Sequence, residues 1–149
     1  MSHRRFLALC LSILLPIMLC GRAESASGQS EVKGAAILNH PCGKVAVKQM
    51  GLLNAGKFDE ANSLATKEMQ DQWKAMPAKD RSMISSMAKD MSETEEQFTA
   101  EIKANGLLVI DGQRATLTVQ KKTKDANGTS TSTTTQAFTL TGGECMVSR

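Results

Sequence analysis

Hydrophobic and polar positions follow three rhythms along this chain. From Phe6 to Leu19 the run is apolar, broken only by Ser12 and Pro16. From Cys42 to Met91 apolar residues recur at three- and four-residue steps, the period of a helix with one buried face. From Leu107 onward apolar and polar residues alternate, as in a strand with one face against a core.

Breakers divide the helical part. His40-Pro41 opens a first helix, since proline is tolerated in a first turn. Cys42, Val45, Ala46, Gln49 or Met50, and Leu53 form its stripe, with Lys44 and Lys48 opposite, and Asn54-Ala55-Gly56 stops it. A second helix is predicted from about Phe58 to Trp73. Asp59 and Glu60 suit its positive end, and Ala61, Leu64, Ala65, Met69 (or Glu68) and Trp73 mark its inner side. Met76-Pro77 breaks it. A third, Ala78 to Met91, carries Met83, Ile84, Met87, Ala88 and Met91 on one face, with Lys79, Asp80, Arg81, Lys89 and Asp90 toward water. Residues 24–39 lack periodicity and read as a flexible tether, and Ser92 to Glu96 as an acidic hinge.

Strands follow. Gln97 to Lys103 and Leu107 to Asp111 read as extended around Asn105-Gly106. Asp111-Gly112 is a hairpin signal, and Ala115, Leu117 and Val119 alternate with Thr116, Thr118 and Gln120. After a turn at Asp125-Ala126-Asn127-Gly128 comes a threonine-rich strand, Thr129 to Leu140; Gly142-Gly143 then leads into Glu144 to Val147. The predicted class is α+β: three N-terminal helices packed on one face of a curved antiparallel sheet of about four strands, with a shallow apolar pocket between them.

The leader alters the charge and the cysteine count. Arg4-Arg5, the apolar run and the small residues after Cys20 have the order of a cleaved signal peptide, residues 1–23, with cleavage near 19–26. The run is shorter than the roughly 20 residues of a spanning helix. Cys20-Gly21 at its end offers a second reading, a bacterial lipoprotein lipidated on Cys20, although Leu19 is bulky for the position before it; both readings stay open. Of the 18 basic residues Arg4, Arg5 and Arg22 precede Glu24, while all 15 acidic residues begin there, so the domain beyond the leader is formally neutral. Neutrality, scarce aromatics and the lack of a basic stripe set nucleic acid aside. Cys10 leaves with the leader and Cys20 is removed or lipidated, so Cys42 and Cys145 remain as an even pair for an oxidising compartment. They form either a disulfide or two separate thiols.

The order of elements in Cys42–Val147 resembles the small exported bacterial domains grouped as domain of unknown function 4878, in the cone-shaped nuclear transport factor 2-like superfamily. Gly56-Lys57-Phe58-Asp59-Glu60-Ala61 is similar to the family's Gly-Asp-Tyr-x-x-Ala helix junction. Asp111-Gly112-Gln113-Arg114-Ala115-Thr116-Leu117-Thr118-Val119 is similar to its Gly-Asp-x-Ala-x-Val-x-Val strand, and Phe138-Thr139-Leu140-Thr141-Gly142-Gly143 to the approach to its last strand. Where the family usually has Trp, Lys and an aliphatic residue, this chain has Cys145-Met146-Val147. The resemblance implies a fold and a cell-envelope setting, and no reaction.

Candidate chemistry is sparse. His40 is the one histidine after the leader, and beside Pro41 it reads as a capping or surface residue rather than a general base. Ser82, Ser85 and Ser86 have no base in view, and Asp59, Glu60, Glu93, Glu95 and Glu96 fall at helix ends or in a solvated run. No catalytic group, metal set or cofactor is expected. Met83, Met87 and Met91 stand four apart on one helical face and read as adaptable core, as a groove shared with Trp73 for an apolar partner, or as soft ligands for Cu(I). The threonines of 129–135 suit an exposed face or an edge that accepts a partner strand. Asn127-Gly128-Thr129 is read as turn chemistry rather than a glycan site.

The expected function is a non-catalytic binding module of the periplasm or cell envelope for an unknown protein or a small apolar ligand. It would meet the membrane only through a lipid at Cys20. The alternatives are an immunity protein that neutralises a secreted toxin, a small pocket enzyme, and a Cu(I) carrier.

Overall fold

The computed structural model describes residues 28–125 and 128–149. The signal peptide 1–23, the lipidation candidate Cys20, the first residues of the 24–39 tether and Ala126-Asn127 of the long turn lie outside the described residues.

The first helix, α1, spans Pro41–Asn54. His40 is its cap: the Cys42 N–H donates to His40 Nδ1 at 3.2 Å, which satisfies one of the free amides of the first turn. It ends as expected at Gly56, whose φ of 75° an L-residue adopts only under strain. There the Lys57 N–H donates to Leu52 C=O (2.8 Å) and the Gly56 N–H to Leu53 C=O (3.0 Å), the paired bonds of a Schellman stop.

The expected single helix 58–73 is two helices, α2 (Phe58–Asn62) and α3 (Lys67–Ala75). The break is made by a distant strand. The Thr66 N–H donates to Val147 C=O (2.9 Å) and the Val147 N–H to Leu64 C=O (3.0 Å), so Leu64 to Thr66 lies along the last strand and covers its free edge. The third expected helix is α4, Ala78–Met91.

Gln97 to Lys103, expected to be extended, lies inside a further helix, α5, Glu95–Asn105. A capping box starts it: the Gln97 N–H donates to Thr94 Oγ1, and the Thr94 N–H to Gln97 Oε1, each at 3.2 Å. Phe98 and Ile102, four apart, are buried beneath it.

Five strands form the sheet rather than about four: β1 Gln29–Lys33, β2 Gly106–Asp111, β3 Arg114–Asp125, β4 Gly128–Thr141 and β5 Glu144–Ser148. All neighbours are antiparallel, in the order β1-β2-β3-β4-β5. The extra strand comes from the stretch expected to be a tether. Val32 pairs with Leu108, and a 3-10 helix over Gly34–Asn39 then buries Ile37 completely. Gly43 on α1 is pressed against that turn, where a Cβ would stand 1.9 Å from Ile37 C=O.

Alternation along the strands sends Leu108, Leu117, Val119, Phe138 and Val147 to the side where α1 and α5 bring Ala46, Phe98 and Ile102, and all of these are buried. The space expected to hold an apolar pocket is filled by the fully buried Phe98, Ile102, Leu117 and Phe138. Cys42 and Cys145 are joined as a disulfide, with Cα atoms 5.0 Å apart, tying the first turn of α1 to β5. No helix among the described residues is long and apolar enough to cross a membrane.

Candidate functional site

The third helix is the exception to the inward packing. None of the residues of α4 is buried. One flank, Arg81, Ser85 and Ala88, is half-buried. At its C-terminal end the Asn54 Nδ2 group of α1 donates to Ser92 C=O (3.2 Å), and the Glu93 N–H to Met50 Sδ (3.4 Å). The opposite flank is a ridge: Met83 is 59 % exposed, Ile84 39 %, Met87 57 % and Met91 80 %. The methionine stripe is therefore surface, not core. Along the helix axis the Met83 and Met91 backbones stand about 12 Å apart.

The structure separates the four residues expected to share one groove. Trp73, on α3, is half-buried and its indole Nε1–H donates to Asp59 Oδ1 at 3.0 Å. It lines a cavity of about 350 Å³ together with Phe58, Asp59, Arg81, Ser82 and Ser85, on the inner flank of α4 and away from Met83, Met87 and Met91. Arg81 Nε is buried there without a hydrogen-bond acceptor. Ser82 and Ser85 thus belong to this wall, and Ser86 is exposed.

Titratable groups gather at one place. Lys121 of β3 meets Glu101 of α5 at 2.9 Å and also pairs with Glu93. Hydrogen bonds to Glu93 and then Glu101 push the Lys121 ammonium up to about 12, while burial pushes the Glu101 carboxyl above its ordinary range. This clasp holds the α4–α5 junction to the sheet. His40 sits in the α1 cap, and partial burial lowers its pKa. Among the described residues no three His, Cys, Asp or Glu side chains come together as a metal site.

Alternation turns the other side of the sheet away from the core that α1 and α5 cover. There Thr116, Ala137 and Ser148 stand side by side across β3, β4 and β5, with Arg114 beside Thr139 in the next row. Thr66, Glu68 and Met69 at the start of α3 rise against this corner, and together these residues wall a cavity of about 500 Å³. Pattern reading missed this site. Alternation assigns Thr116 and Arg114 to a polar face, but which strands lie beside them is set by pairing.

The threonine-rich segment also takes a definite place. Among the described residues, 120–125 of β3 pair only with 128–133 of β4, since β2 reaches no further than Val119 and β5 pairs no further along β4 than Ala137. These residues of β4 are exposed on both faces. Compared with protein-family models, with curated proteins and with solved structures, the chain has no match.

Proposed function

We propose that this chain is an exported, non-catalytic binding module of a bacterial cell envelope, which grips a protein partner through the apolar ridge of α4. The ridge carries the reading. Met83, Ile84, Met87 and Met91 are large, apolar and exposed on one face of a helix that buries no residue of its own. Contiguous apolar surface of this kind marks an interaction site more often than a monomer's free surface. Methionine's flexible, polarisable side chain suits a contact that adapts to its partner.

The export setting rests on the leader pattern and is supported by the bridged Cys42–Cys145 pair, since such bonds persist in oxidising compartments. The domain stands in the periplasm or envelope, held by a lipid if Cys20 is acylated. A run of helices followed by the antiparallel meander β2–β5, with β1 added at its edge, supports the nuclear transport factor 2-like reading and the likeness to domain of unknown function 4878.

A photo-reactive amino acid placed at Met87 in living cells tests the reading, with one at exposed Glu144 as control. One discrete adduct is expected from Met87 alone, lost in Met83→Asp, with the protein recovered in the envelope fraction and its cysteines oxidised. Identical adducts from both positions, or a turnover abolished by replacing a single Asp, Glu or His, would overturn it.

A further inference from the structure

The cavity on the open face of the sheet has the composition of a ligand site, and it is built from backbone pairing rather than from loops. Adjacent strands are about 4.8 Å apart, so the row Thr116, Ala137, Ser148 places two hydroxyls at either side of a small apolar floor. Thr66 extends the row, since its N–H bonds to Val147 C=O beyond the edge of β5. Arg114 and Thr139 stand opposite each other one row away. The turn that carries Arg114 is fixed to β4 by the Leu140 N–H, which donates to Gln113 C=O at 2.8 Å.

Charge narrows the ligand. Arg114, Arg149 and Glu68 all line the cavity. Among the described residues no carboxylate pairs with Arg114 within ion-pair distance. A guanidinium offers two parallel N–H groups that match a carboxylate, and serine and threonine hydroxyls complete the shell of the same anion. Glu68 disfavours a second negative charge. Met69 and Ala137 supply apolar wall for a carbon skeleton, and about 500 Å³ lies in the range of small-molecule sites.

We propose that this corner of the sheet binds a small organic monocarboxylate, with the carboxylate on Arg114 and the Thr116, Thr139 and Ser148 hydroxyls, and the carbon chain against Met69 and Ala137. The site lies on the face turned away from α1 and α5 and shares no residue with the α4 ridge. The two readings therefore stand or fall separately.

Hexanoate titrated into the purified protein, followed by calorimetry and amide NMR, provides the test, with hexylammonium and inorganic phosphate as parallel probes. Saturable binding of hexanoate is expected, with shifts concentrated at residues 114, 116, 137, 139 and 148 and none from hexylammonium. Arg114→Gln should weaken hexanoate about tenfold or more through loss of the charged fork. Thr116→Val keeps the β-branched shape and should weaken it about threefold, so one variant remains readable if the other folds poorly. The proposal is overturned by absent or unsaturable hexanoate binding, by unchanged affinity in Arg114→Gln, or by phosphate binding as tightly as hexanoate.

Discussion

His40 shows how little separates a catalytic-looking residue from a structural one. Its Nδ1 accepts the Cys42 N–H, so the cap exists only while the imidazole is neutral. Partial burial sets the folded-state pKa below the ordinary 6.5. The sign follows: this contribution to stability is complete above the unfolded value and is lost as pH falls through the lowered folded one. Urea unfolding at a series of pH values should therefore show an acid-side loss below about pH 6.5 that His40→Asn removes, because asparagine caps without titrating. The histidine was readable as a cap from its place before Pro41. The roles of Arg114 and Thr116 were not, because a residue in a strand faces its neighbours across the sheet and not along the chain.

Elements were predicted well where local chemistry decides them. The proline start and glycine stop of α1 are both local, and both are present. The Thr94–Gln97 capping box is equally local, with Phe98 and Ile102 spaced behind it, so the α5 signal was present in a stretch read as extended. Thr94→Ala should cost about 1 kcal/mol in chemical denaturation, the usual worth of such a cap. The break between α2 and α3 and the strand β1 have no comparable local cause. One exists because β5 has a free edge for Leu64–Thr66 to cover, and the other because β2 offers its edge to Gln29–Lys33.

At the scale of the whole molecule the disulfide closes nearly the entire domain, joining positions 103 residues apart. Constraining so long a loop in the unfolded chain contributes about 4–5 kcal/mol by the chain-entropy account. The double variant Cys42→Ser, Cys145→Ser should therefore lose most of a small domain's stability in thermal unfolding. Residue order alone determined the α+β class, with helices ahead of the β2–β5 meander, and the even count of two cysteines beyond the expected leader, because period, capping and cysteine count are carried within short windows. Only the tertiary structure decided that α4 turns its methionines outward, that the supposed tether supplies an edge strand, and that a polar corner of the sheet becomes a cavity. Each depends on which distant backbone fills an edge or a face, and that competition for contacts is settled when the chain packs.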